Sequence, residues 1–214
     1  EALKNYLARL GWSHGDDEMF SMDQAIGWFE ISDVNKGAAR FDFAKLENLN
    51  GHYMRATPDD ALWEAFRAFL PHTDEGRALL ATLDATLEAQ IRMALPGLKE
   101  RAKTLVELLD GCRFIHARRP LPMEEKAAAL LDAAGLAVIA ALVPRFEALA
   151  EWSAATTEAV VRDHAEAAGI KLGKAAQPLR AALTGRTTSP GIFDVLAVLG
   201  REETLARLRD RLPG

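Results

Sequence analysis

Residues 169–200 read GIKLGKAAQPLRAALTGRTTSPGIFDVLAVLG, and the reading of this stretch decides the fold. Gly169, Gly185 and Gly200 cut it into segments of helical length. Ser189-Pro190 reads as an N-cap followed by a first-turn proline, and Ile192, Phe193, Leu196 and Leu199 then recur at the spacing of one buried helix face. The stretch also carries a one-sided charge. No carboxylate lies between Glu166 and Asp194, whereas Lys171, Lys174, Arg180 and Arg186 do, which predicts a single basic face.

The same helical grammar extends upstream. Ser21 followed by Gln24 forms a capping-box pattern before Trp28 and Phe29. Thr57-Pro58-Asp59-Asp60 repeats the start signal with Pro58 at the first helical position, and Leu62, Phe66, Phe69 and Leu70 follow until Pro71. Leu79, Leu83, Leu87 and Ile91 are four residues apart and predict one long helix from Thr73 to about Pro96-Gly97, with another from about Leu98 to Leu109. Pro120 and Pro122 mark the clearest break, and the later helices are expected to be bounded by Gly135, Pro144, Gly169, Gly185 and Gly200. No strand alternation of useful length and no repeat of fixed period occurs. The expected fold is all-α, as packed subdomains over 1–64, 65–115 and 116–214.

Composition narrows the classes of function. A chain of 214 residues with net charge −5 is not an indiscriminate nucleic-acid binder, because phosphate contacts need clustered cations. Two acid-free runs change that picture: the one already described, and Gly111 to Met123 with Arg113, His116, Arg118 and Arg119. A solvated basic face is the plain reading of either. The one cysteine, Cys112, excludes an internal disulfide framework and favours a reducing cytoplasm. No signal-like N-terminus is visible, and no apolar stretch reaches the roughly 18–20 residues of a membrane span, so a soluble cytoplasmic protein is expected.

Catalytic and metal chemistry find little support. His14, His52, His72, His116 and His164 never pair at i, i+4, and Cys112 has no cysteine neighbour, so no metal site is expected. Cys112 beside His116 permits a nucleophile reading but lacks an orienting third group. Gly169-x-x-x-Gly173-Lys174 lacks the Ser/Thr and the preceding strand of a phosphate loop. Glu124-Glu125 suit a first helical turn after Pro122, where they complement the dipole. Trp28, Phe29, Phe41, Phe43 and Tyr53 have spacings that suit a core more than base stacking.

Gln177 to Gly185, QPLRAALTG, with Ser189-Pro190-Gly191-Ile192 after it, resembles the C-terminal anticodon-binding end of bacterial-type glutamyl-tRNA synthetases. Residues 1–12, EALKNYLARLGW, and 41–55, FDFAKLENLNGHYMR, resemble the stem-contact region of that family. The likeness covers nearly the whole chain in the family's order. It implies that Lys45, Asn50 and Arg55, in K-L-x-x-L-N-x-x-Y-x-R, contact sugar and phosphate at the inner corner of tRNA. It gives Arg101, in R-x-x-T-L, the third anticodon base and Arg180 the first, with Ser189, Pro190, Gly191 and Ile192 closing around the middle base. Ser189 and Ile192 stand where other members have Thr and Leu.

By itself the pattern around Arg101 places it on a helix, off the apolar stripe of Leu98, Leu105 and Leu109. Asn50 can equally serve as a structural cap. The family's H-I-G-H-like and K-M-S-K-like motifs are absent, Lys171-Leu172-Gly173-Lys174 being only an echo in the wrong place. The chain therefore reads as a cofactor-free, catalytically inactive piece of a longer ligase that uses ATP and magnesium. Its implied partner is the tRNA for glutamate, with the tRNA for glutamine left open, and it is expected to be monomeric. A helical protein-interaction scaffold with incidental basic faces is the alternative that composition and pattern leave standing.

Overall fold

Every regular element in the computed structural model, which describes residues 1–37 and 40–213, is helical. In chain order these are α1 (Ala2–Gly11), α2 (Met22–Trp28), α3 (Phe43–Ala56), α4 (Asp59–Phe69), α5 (Asp74–Thr82), α6 (Ala85–Lys99), α7 (Leu105–His116), α8 (Glu125–Ala128), α9 (Ala133–Glu147), α10 (Ala154–Ala167), α11 (Leu172–Thr184) and α12 (Ile192–Arg209). Short 3-10 turns occupy Ile31–Asp33 and Leu70–His72. Among the described residues no helix is long and apolar enough to cross a membrane.

Local chemistry sets most of the boundaries. Ser21 and Gln24 form both halves of the expected capping box. The predicted long helix from Thr73 is instead two, because the Asp84 carboxylate accepts from the Leu87 N–H at 2.8 Å and starts α6 afresh. Leu79 and Ile91 are nonetheless both buried in one seam, which is why the four-residue spacing survives the break. Pro96 and Gly97 lie inside α6 rather than at its end. The next helix starts at Leu105, not Leu98, since Thr104 caps the Glu107 N–H at 3.1 Å.

Pro58 is the N-cap of α4, one position earlier than expected. Gly135 and Pro144 sit within α9 instead of bounding it. Gly200 bends α12 with a φ of 73°, a left-handed conformation that glycine adopts without a Cβ clash.

One apolar core is shared by residues on both sides of residue 116, from Met54 through Leu98 and Leu108 to Phe146, Leu179 and Leu208. Trp63, Phe66 and Phe146 are its largest apolar members, and each such side chain contributes about 1.5–3 kcal/mol by leaving water. A separate small cluster of Trp12, Phe20 and Ala25 holds the N-terminal part. Asn5, only 2% exposed, ties that part together: its carbonyl oxygen accepts from Tyr53 Oη at 2.7 Å and from the Phe20 N–H at 3.3 Å.

Two polar devices join the halves. Residues 117–124 run between α7 and α8 without helix, and the last turns of the chain grip them: Arg211 donates to the Leu121 carbonyl at 3.0 Å, and Arg119 pairs with Glu203 and Asp210 at 3.5 and 3.3 Å. Beneath them Arg207, 1% exposed, donates to the carbonyls of Phe114 and Leu183, both at 2.7 Å, and to Glu203 at 2.6 Å. Those carbonyls belong to the last turns of α7 and α11, where helical partners have run out.

Candidate nucleic-acid interface

The acid-free stretch around Arg180 ends against a narrow crevice of about 230 Å³. One wall is the end of α6 with Leu98 and the connection after it with Arg101; another is α7, with Asp110 and Arg113; the third is the chain from Thr184 to Pro190. Arg180, on the last turns of α11, reaches this third wall and donates from Nε to Ser189 Oγ at 2.9 Å. Burial first, and then the nearby charge of Arg101, pulls the Arg180 guanidinium below its ordinary range. The two like charges are close enough to repel, and among the described residues neither makes an ion pair.

The acids of the crevice are already engaged. Asp110 receives both ends of the Arg186 guanidinium, at 2.5 and 2.7 Å, and that pairing holds its carboxyl below the usual carboxylate range. Arg186 also meets Glu124 at 3.3 Å, and Arg113 meets Glu75 at 2.7 Å. Glu107 accepts from the Lys103 N–H at 2.6 Å. Among the described residues, Arg101 in the crevice lining and Arg180 behind its Ser189 wall are the arginines here that take part in no ion pair.

The expected site residues divide into groups. Arg101, Arg180, Ser189 and Pro190 are brought together here, although they lie far apart in sequence. Arg101 is in the loop between α6 and α7, not on a helix, which frees it from a helix face. Ser189 is not the N-cap of α12; its hydroxyl accepts from Arg180 and donates to the Pro190 carbonyl at 2.8 Å, while Gly191 takes the cap position. Gly191 is exposed at the start of α12, whose first N–H groups no side chain caps. Ile192 is turned into the core at 5% exposure, so only its backbone can meet a ligand.

Lys45, Asn50 and Arg55 lie on α3. Lys45 and Arg55 line a wider cleft of about 1090 Å³ together with Arg9, Arg40, Phe41 and Phe43. Asn50 points elsewhere: its amide donates to the Lys103 carbonyl at 2.6 Å, a structural link from α3 to the loop that carries Arg101. Gly51 supports the same seam, since a Cβ there would stand 3.3 Å from the Lys103 Cα.

Other expectations are corrected by the geometry. Phe29, Phe41 and Phe43 are 50%, 39% and 73% exposed, so the core reading fails for them; Phe29 meets only the edge of the small cluster at Trp12, and Phe41 packs on Tyr6 and Phe43. The four cations of the acid-free run do not make one face. Lys171 and Lys174 start α11, Arg180 stands roughly 9–14 Å further along its axis, and Arg186 lies beyond the helix end, where it is neutralised. Cys112 is fully buried, and burial pushes its thiol up to about 12, which removes it as a nucleophile. Sequence reasoning missed Asp110 and Thr188 in the crevice walls; for neither was there a local signal.

A helical fold that holds two guanidiniums without ion-pair partners beside a narrow crevice has the chemistry to meet an anion or a base edge. The chain belongs to the anticodon-binding-domain family, whose model matches residues 61–212. It is 61% identical over 211 residues to glutamate–tRNA ligase 1 of Brucella melitensis and to glutamate–tRNA ligase 2 of Brucella ovis. In each case 99% of this chain is matched but only 45% of the relative, so the chain spans about half the length of those curated proteins. Among solved structures, a glutamate tRNA ligase from Elizabethkingia meningosepticum crystallised with its amino acid superimposes with a TM-score of 0.81 at 27% identity, over 99% of this chain and 40% of the other. A glutamate–tRNA synthetase from Elizabethkingia anophelis gives 0.79 at 28% identity, over the same shares of the two chains.

Proposed function

We propose that this chain is the tRNA-recognising part of a glutamate–tRNA ligase, and that it reads the anticodon in the crevice between Arg101 and Arg180. The convergence of these two guanidiniums, neither engaged in an ion pair among the described residues, with Ser189 and Pro190 carries the reading. RNA sequence is recognised mainly through splayed, unstacked bases, and a crevice of this width admits a base edge and a phosphate but no duplex. Arg180, Ser189, Pro190, Gly191 and the Ile192 backbone take the first and middle anticodon bases, and Arg101 the third. Lys45 and Arg55, with Arg9 and Arg40 beside them, take backbone phosphates in the wider cleft.

In this reading residues 1–64 contact the stem, 65–115 and 116–214 form the anticodon-binding subdomains, and Asn50 aligns the two regions through Lys103. The longer protein joins glutamate to its tRNA with ATP and magnesium in the cytoplasm. The 214 residues alone contain neither adenylate-forming motif and do not perform that step. The chain acts as a monomer on the tRNA for glutamate. Membership in an anticodon-binding family leaves the protein-scaffold alternative without an observation in its favour.

The test is binding of the chain to transcripts of the glutamate and glutamine tRNAs at two salt concentrations. Tight binding that weakens steeply with salt, as counterion release requires, supports the proposal. Salt-insensitive binding, or none, overturns it.

A further inference from the structure

Pro96 and Gly97 are the residues of α6 least suited to a helix interior, yet α6 runs through both. Gly97 faces Pro190. A Cβ built on Gly97 would stand 3.2 Å from the Pro190 Cβ and 3.9 Å from its Cγ, so any larger residue forces the proline back by a few tenths of an ångström.

Pro190 is one end of a short relay. Its carbonyl accepts from the Ser189 hydroxyl at 2.8 Å, and that hydroxyl in turn accepts from Arg180 Nε at 2.9 Å. On the other side, Gly97 lies one helical turn before Arg101 in the chain. Gly97 is thus the point at which the segment bearing one guanidinium touches the segment that holds the other.

We propose that Gly97 is a positioning residue that sets the width of the crevice: lacking a side chain, it lets Pro190 seat directly on α6 and so fixes Arg180 relative to Arg101. This rests on the anticodon reading above. The physical logic is that of preorganisation, in which a small misplacement of a binding group lowers affinity without any contact being deleted. A glycine kept at a helix-destabilising position for this reason separates the two properties, since alanine there favours the helix and disfavours the site.

The experiment compares the 214-residue chain with Gly97→Ala, Pro190→Gly and the double variant. Gly173→Ala is the control, because that position lies in α11 with nothing within 4 Å of a new Cβ. The probes are anticodon stem-loop hairpins of the glutamate tRNA, one cognate and one with the third anticodon base changed from cytosine to guanine. Thermal midpoints are measured alongside. Gly97→Ala should keep or raise the midpoint while losing about tenfold in cognate affinity and narrowing the ratio between hairpins. Pro190→Gly should lose a similar factor, and the double variant should lose no more than either single change, as expected when two residues act through one contact.

Wild-type affinity and ratio in Gly97→Ala, or losses that add in the double variant, would overturn the proposal. If Gly97→Ala does not fold, Pro190→Gly decides, and an unchanged ratio there overturns it equally. Should the wild-type chain bind neither hairpin, the anticodon reading falls and takes this inference with it; should it bind both equally, the third-base role of Arg101 falls and this inference with it. Discrimination retained by Gly97→Ala sinks the positioning role alone.

Discussion

Replacing Arg207 with methionine should cost about 3–5 kcal/mol of stability, most of it from two buried carbonyls that lose a charged donor. The magnitude follows from what the guanidinium touches. At 1% exposure it supplies the donors for the Phe114 and Leu183 carbonyls and for Glu203. Both carbonyls end helices, so neither regains a backbone partner, and each buried acceptor left alone costs about 1–3 kcal/mol. Glu203 is partly exposed and keeps Arg119 nearby at 3.5 Å, so its share is small. Methionine returns some apolar burial, which keeps the total within the range above. For a chain of this size the midpoint should fall by about 6–20 °C, at roughly 2–4 °C per kcal/mol.

The assay is urea and thermal unfolding followed by far-ultraviolet circular dichroism, with the urea slope unchanged, so that the difference is one of stability and not of compactness. Arg207→Lys should fall in between, because an ammonium on a flexible stem does not span two carbonyls as a planar fork does. A loss below about 1 kcal/mol for methionine, the net worth of a single ordinary hydrogen bond, would refute the account. So would a lysine variant as stable as the arginine.

Arg180→Ala should weaken binding of the glutamate tRNA by about 1–3 kcal/mol if the guanidinium holds a base edge; an unchanged dissociation constant would return Arg180 to the solvated background. Arg101→Gln should narrow the preference for glutamate over glutamine tRNA, because arginine only donates whereas an amide also accepts; equal affinity ratios before and after would place discrimination elsewhere. Asp110 is held low chiefly by hydrogen bonding from Arg186, so its ion pair stabilises fully above the unfolded carboxylate value of about 4 and fades as pH falls through the depressed folded value. Asp110→Asn should accordingly lose no more than about 1 kcal/mol at neutral pH, the pair being part-exposed, with the gap closing in acid; parallel pH profiles would contradict this. Cys112, buried and with its thiol at about 12, should resist a thiol reagent at mildly alkaline pH until the chain unfolds, and rapid labelling of the native protein would show that the site opens.

How far the sequence could be read differed by element. The Ser21–Gln24 box and the seam of Leu62, Phe66 and Leu70 depend on neighbours three or four residues away, and they appear as written. Boundaries failed where a side chain overrode an apolar rhythm, as when Asp84 restarted a helix that the leucines alone would have carried through. Pro96 and Gly97 misled for the opposite reason, because burial of Ala94, Leu95 and Leu98 around them holds helical a segment that these two residues disfavour.

Within the site, Arg101 and Arg180 stood out through local motifs, but their meeting did not, being a product of tertiary packing. Charge counting along the chain pointed to Arg186 without revealing that Asp110, distant in sequence, cancels it. Asn50 illustrates the limit at a single residue. Its pattern allowed a ligand contact or a structural bond, and the position of Lys103, which the sequence does not reveal, supplies the structural one through the amide nitrogen.

The grip of the last turns on residues 117–124 bears on how the protein survives a protease. An irregular, partly exposed connection with Arg118 and Arg119 is what a trypsin-like enzyme seeks, since cleavage needs a segment that can be drawn out into an extended form. Arg211 on the Leu121 carbonyl, together with Asp210 and Glu203 on Arg119, holds this one against the body of the molecule. Its resistance is therefore lent by residues about 90 positions away, so that trimming the C-terminal turn would turn the middle of the chain into its weakest point.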